Sequence, residues 1–208
     1  HLMQGGRLRP DEKQSAKPRG GIARWRFADG RALLLTEPGT ERRAGVWMVA
    51  GDANGQEPLA DLGPDAETLD AAGWSEVLAP RTGRLHGVLR DQQAVAGIGR
   101  RLANEICHRA KLSPFAGAAK LDADQVAALA DATQACLAES LADERARSEM
   151  VKAGERENAV HGRAGEACPV CGDVVRTVAY RAYTVAYCAT CQTGGKVLAD
   201  NTTSKFLK

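Results

Sequence analysis

Four cysteines near the C-terminal end, in the runs Cys168-Pro-Val-Cys171 and Cys188-Ala-Thr-Cys191, constrain this chain more than any other feature. Each Cys-x-x-Cys run can bend two thiolates onto one point through a tight turn. The 16 residues between the runs, 172–187, suffice for a β-hairpin that returns the second pair to the same point. That is the spacing of a four-cysteine zinc ribbon, where four soft thiolates complete a tetrahedral shell. With all four ligands supplied by protein, no position stays open for a catalytic water. One structural Zn2+ is therefore expected on Cys168, Cys171, Cys188 and Cys191. The competing reading is two redox or disulfide pairs, although neither run sits in a strand-to-helix redox context. Cys107 and Cys136 fall in helical patterns and read as buried free thiols.

The cysteine usage points to a reducing compartment, and a cytoplasmic, nucleoid-associated location is expected. No apolar run approaches the ~20 residues that span a bilayer, and no signal-peptide pattern is seen, so no membrane partner is expected. The formal net charge of +2 hides a strong segregation. Residues 81–111 carry net +5, residues 118–150 net −4 and residues 151–208 net +3. Basic, acidic, basic is the distribution expected if two segments face a polyanion and the middle one faces water. A basic stretch taken alone is more often a solvated face.

The first 50 residues read as β-structure. Ile22-Ala-Arg-Trp-Arg-Phe27 alternates apolar and basic, Asp29-Gly30 supplies a turn, and 31–36 is apolar again, which signals a hairpin. Val46-Trp-Met-Val49 reads as a further short strand, and 10–21 as a loop. These strands are too few to bury a core and are expected to be the end of an antiparallel β-domain. Residues 51–72 have a linker composition. From 73 the pattern turns helical: Leu85, Val88 and Leu89 share one face, and Leu102, Ile106 and Ala110 another. Ser113-Pro114 ends the second run. Asp122 and Gln125 are placed for a capping box, ahead of a stripe of Val126, Leu129, Ala130, Leu137 and Leu141.

Gly97-Ile-Gly99 falls between the two helical runs. Two glycines let backbone approach a ligand closely, the next helix offers free N–H groups, and Arg100 and Arg101 stand at its start, so a phosphate suits the place. A plain helix–helix turn is the bland alternative.

The wider string Leu89-Arg-Asp-Gln-Gln-Ala-Val-Ala-Gly-Ile-Gly-Arg-Arg-Leu-Ala-Asn-Glu-Ile106 resembles the helix-two-turn-helix element of the formamidopyrimidine-DNA glycosylase and endonuclease VIII (Fpg/Nei) family. The resemblance continues through Arg109-Ala-Lys-Leu-Ser-Pro114 and through His161-Gly-Arg-Ala-Gly-Glu-Ala-Cys168, which is similar to the family's lead-in to a C-terminal zinc finger. Cys188-x-x-Cys-Gln192 is in the same style. His1-Leu-Met-Gln-Gly-Gly-Arg-Leu8 is similar to the β-domain segment that inserts side chains at a lesion.

The resemblance implies an α+β chain: the remainder of an antiparallel β-sandwich (1–50), a linker (51–72), a helix-two-turn-helix DNA-binding domain (73–150) and a zinc finger with a basic tail (151–208). It implies base-excision repair of oxidised bases in damaged double-stranded DNA by a monomer. Base removal and β/δ-elimination would use a Schiff base to an N-terminal proline, with a neighbouring glutamate as general acid/base, on a nucleotide flipped out of the stack. That Pro-Glu start and a supporting lysine would lie upstream of His1, and Pro10 is internal with no free amine. No catalytic residue is assigned, and the chain is expected to be an inactive portion of a longer glycosylase/AP lyase. The alternatives are a non-catalytic zinc-dependent DNA-binding protein and a generic zinc-ribbon protein that binds RNA or protein.

By the same resemblance the DNA contacts would come from Met3, Gln4, Arg43, His86, Gly97, Gly99, Arg100, Arg101 and Arg181. The chain also departs from the family pattern. Arg100 stands where asparagine is usual, His86 where many members have lysine, and Ala44 where a wedging aromatic is often found. Tyr183 stands where a phosphate-gripping arginine is common, with Arg181 as its possible replacement. His161 would touch DNA or shape its loop, His108 would be a surface or packing residue, and Glu105 would support the helix pair.

Overall fold

The computed structural model describes residues 6–37, 44–147, 151, 155–180 and 183–198. Met3, Gln4, Arg43 and Arg181 lie outside them. The chain divides into two compact units, His1–Ala60 and Asp61–Lys208.

In the first unit, β1 (Arg7–Pro10), β2 (Gly21–Arg26) and β3 (Ala32–Thr36) form an antiparallel sheet in the order β1-β3-β2. The β2–β3 hairpin falls where the alternation and Asp29-Gly30 place it. Gly30 takes a positive φ of 84° that a side chain would strain, and the Asp29 carboxylate accepts the Arg31 N–H at 3.0 Å. Ala32, Leu34 and Leu35 are buried, whereas Leu8, Trp25 and Phe27 are exposed. The strand expected at Val46–Val49 does not form: these residues pair with no strand among those described, and Met48 is fully exposed. An apolar run alone does not make a strand without a partner edge to complete its hydrogen bonds.

The second unit carries α1 (Ala71–Leu78), α2 (Leu85–Arg90), α3 (Arg100–Arg109), α4 (Ala123–Ala146), the antiparallel hairpin β4 (Val175–Ala179) and β5 (Thr184–Cys188), and the short α5 (Ala189–Thr193). Asp70 caps α1 through the Gly73 N–H. Asp122 and Gln125 form the expected reciprocal capping box on α4, at 2.9 and 3.1 Å. Trp74, Leu85, Leu89, Ile98, Ile106 and Leu129 pack as one core. Of the stripe expected on α4, Leu141 is exposed, because the last turns of this 24-residue helix extend past that core. Residues of linker composition participate here as well: the Gly63 N–H donates to the Gln92 carbonyl and the Ala96 N–H to the Pro64 carbonyl. A Cβ on Gly63 would stand 2.5 Å from the Ala94 carbonyl oxygen, so only glycine fits. No helix among the described residues is long and apolar enough to cross a membrane.

Candidate metal centre and nucleic-acid interface

The first Cys-x-x-Cys run turns on Gly172, whose positive φ of 79° lets its N–H reach the Cys168 carbonyl at 2.9 Å. β4 and β5 then bring the second run back. The four sulfurs lie within 4.8 Å of one another, with Cys168–Cys191 at 3.9 Å and Cys171–Cys188 at 3.4 Å. A tetrahedral shell of sulfurs at about 2.3 Å from a metal has edges of about 3.8 Å, so the cluster can hold a metal ion with small adjustments. Asp173 stitches the two runs together, accepting the Thr190 hydroxyl at 2.9 Å. The Asp173 N–H and the neighbouring Cys188 thiol lower the Cys171 thiol, whereas burial raises Cys188 and Cys191, as expected of four thiols that share protons at close range. Cys107 and Cys136 are buried thiols well apart from this chemistry; burial pushes Cys136 up to about 11.

The cluster is held against α3 by polar side chains of that helix. The Glu105 carboxylate accepts the N–H groups of Ala159, Val160 and His161 at 2.7, 3.1 and 2.8 Å. Asn104, fully buried, accepts the Ala186 N–H of β5 and pairs its amide nitrogen with His161 Nδ1 at 2.9 Å. His108 is also buried, with Nε2 3.3 Å from Cys168 Sγ. A thiolate is an acceptor, so the bond calls for a proton on Nε2. Gln192 joins the Cys188 N–H to the Leu112 carbonyl, at 2.8 and 2.9 Å. Sequence reasoning placed Glu105 on the helix pair and left His108 and Asn104 without partners. Their positions four apart on α3, on the side of Glu105, were the available signal.

At the other end of α3, Gly97 takes a positive φ of 94° and Gly99 is the N-cap, with no side-chain cap. Gln92, which sequence reasoning did not single out, clamps the turn by accepting the Gly97 N–H at 3.0 Å and donating to the Ile98 carbonyl at 2.9 Å. Gly99 brings no side-chain acceptor to the first N–H groups of α3, and Arg100 stands beside them, a pattern suited to an anion. Arg101 points into the protein, donating to Ser140 Oγ at 2.6 Å and Asn158 Oδ1 at 3.3 Å. His86 on α2 is only 2% exposed. Burial first, and then the Arg90 charge, push it down to about 4 against an opposing Asn104 bond, so the ring is neutral near pH 7. Burial likewise lowers His161. Tyr183, at the start of the return strand, stacks on Tyr180 with centroids 4.8 Å apart.

Comparison with known proteins agrees with this geometry. Residues 59–151 match the formamidopyrimidine-DNA glycosylase H2TH domain. An uncharacterized formamidopyrimidine-DNA glycosylase-like protein of Mycobacterium tuberculosis is 42% identical over 149 residues, 71% of this chain and 94% of the relative. The formamidopyrimidine-DNA glycosylase of Teredinibacter turnerae is 31% identical over 92% of this chain and 73% of its own length. The fold is that of Lactococcus lactis Fpg in complex with DNA containing an abasic site, with a TM-score of 0.77 at 22% identity over 93% of this chain and 73% of that one. MutM (Fpg) of Thermus thermophilus superposes with a TM-score of 0.69 at 26% identity over 93% of this chain and 77% of that one. The chain belongs to the formamidopyrimidine-DNA glycosylase family.

Proposed function

We propose that these 208 residues are the DNA-holding part of a base-excision-repair glycosylase/AP lyase for oxidised bases, with duplex DNA gripped between the α2–α3 turn and the zinc hairpin. The observation that carries the reading is the Gly97–Gly99 turn, which brings no side-chain cap to the N-terminus of α3 next to Arg100 in a chain of this family. Gly97, Gly99 and Arg100 would meet phosphates, while His86, buried at 2% exposure, would back the site rather than touch DNA. Arg101 would act partly as a brace, since two of its five donors are engaged by Ser140 and Asn158. Met3, Gln4, Arg43 and Arg181 complete the contact set by resemblance. Zn2+ on Cys168, Cys171, Cys188 and Cys191 would fix the shape of the hairpin without entering the chemistry. The protein would work as a monomer in the cytoplasm, at the nucleoid.

Base removal uses, by resemblance, a Pro-Glu motif, and the residues named above would supply the grip on DNA rather than the nucleophile. The test is borohydride trapping on a duplex with an abasic site. We expect a salt-sensitive complex and no covalent adduct from this chain, and an adduct from a chain that also carries the Pro-Glu start. A covalent adduct from these residues alone would refute the division of labour.

A further inference from the structure

Arg90 closes α2, and its guanidinium carbon lies 3.9 Å from the centroid of the Tyr183 ring. Tyr183 is itself fixed. Its carbonyl accepts the Tyr180 N–H at 2.8 Å to close the hairpin turn, and its ring stacks on Tyr180 at an interplanar angle of 14°. One turn before Arg90, the His86 ring lies nearly parallel to Tyr183, at 15° with centroids 6.1 Å apart. A cation, two phenol rings and an imidazole from two elements are thus layered together.

Packing alone leaves two features unexplained. Arg81, Arg109, Arg147, Arg156 and Arg163 each pair with a carboxylate; among the described residues none pairs with Arg90. His86, though buried, leaves Nε2 without a hydrogen-bond partner, a condition uncommon in protein interiors. The charges of Arg90 and Arg100 both bear on that ring. The place gathers the positive charges of Arg90 and Arg100 about a buried polar atom.

We propose that Arg90, laid flat on Tyr183, and His86 beside it form an anion-binding element whose ligand is a DNA phosphodiester; this rests on the DNA-binding reading above. Arg90 supplies a planar charged fork matched to two phosphate oxygens. Tyr183 holds the plane of that fork, so less side-chain freedom is lost on binding. The buried His86 ring backs this layer, and in its neutral state it adds no charge that competes for the phosphate. The cation comes from α2, and the zinc hairpin supplies the platform on which it rests. The element is therefore assembled only when metal-bound hairpin and helix are docked.

The test is a salt titration of the zinc-loaded chain on a short duplex carrying an abasic-site analogue. Arg90→Ala should weaken binding roughly fivefold to tenfold near 0.1 M salt and reduce the slope of log K against log salt by about one. Arg90→Lys should keep the slope and lose part of the affinity. Tyr183→Phe should bind normally, and Tyr183→Leu should weaken binding in the parent but not in the Arg90→Ala background. If Arg90 is only a staple, Arg90→Ala lowers the thermal midpoint and leaves the slope unchanged, which overturns the proposal while the DNA-binding reading stands. Should the parent chain bind no duplex, inorganic phosphate is titrated instead while the His86 ring 15N signals are followed. A phosphate-dependent shift that Arg90→Ala abolishes keeps an anion element and rejects DNA as its ligand; no shift rejects both.

Discussion

The three-stranded sheet of residues 7–36 and the two-stranded hairpin of residues 175–188 reach stability by different routes. In the larger sheet, burial is concentrated on the central strand, where Ala32, Leu34 and Leu35 are enclosed on both faces, while Leu8, Trp25 and Phe27 beside it keep 37–48% of their surface exposed. The smaller one has fewer strands yet buries Val185, Ala186, Tyr187 and Cys188 almost completely. A two-stranded hairpin is at best marginal by itself. Here the four-sulfur cluster closes one end, and Asn104, Glu105 and His108 of α3 hold its flank. The difference teaches that strand number matters less than what closes the unpaired edges and ends.

Removing the metal should break this contrast most strongly. Structural zinc contributes on the order of 10 kcal/mol of apparent binding energy. Chelation should therefore abolish hydrogen-exchange protection across Cys168–Gln192 and leave that of Gly21–Thr36 unchanged. Loss of protection in both would mean that the units share one cooperative core. Next in size, Glu105→Gln withdraws the charge from three N–H bonds and should cost about 3 kcal/mol in urea unfolding; a cost below about 1 kcal/mol would assign the 159–161 backbone another support. His108→Phe removes the donor to Cys168 Sγ and should weaken zinc roughly 10–100-fold in competition with a chromophoric chelator, as outer-shell changes do. An unchanged zinc affinity would reduce His108 to packing.

The contrast extends to pH. His86 is held near 4 in the folded chain, below its ordinary value near 6.5. The unfolded chain therefore takes up the proton first. The stability tied to a neutral His86 is complete above about pH 6.5 and is lost progressively as pH falls toward 4, reaching roughly 2 kcal/mol of loss by pH 5. Comparing parent and His86→Asn at each pH cancels the thiolate contribution; parallel pH profiles would contradict the shift. The smallest effect belongs to the open sheet. Arg31→Gln, which removes the exposed pair with Asp29 at its hairpin turn, should alter stability by less than about 0.5 kcal/mol, and a larger loss would show that this pair orders the turn.

Much of the local architecture was legible. The Asp29-Gly30 hairpin, the Asp122–Gln125 capping box and the paired Cys-x-x-Cys turns each depend on residues within a few positions, and each formed. Val46–Val49 failed as a strand because pairing needs an edge that local pattern does not supply. The sequence placed His108 on a helix face, but its partner Cys168 lies 60 residues away. Arg90 stood inside the quoted helical string without a role, because an arginine at the end of a helix has no local signature for the ring it will meet.

By itself the sequence determined the four-cysteine cluster, the glycine turn before α3, the helix caps and the family. Their signals are short-range, carried by backbone conformations and ligand spacings that few residue types allow. Tertiary structure decided which polar groups meet: Asn104 with Ala186, 82 residues on, Glu105 with the 159–161 backbone, and Arg90 with Tyr183. Those pairings arise because α3 and the zinc hairpin bury a common surface, on which each enclosed donor or acceptor must find a partner across the gap rather than along the chain.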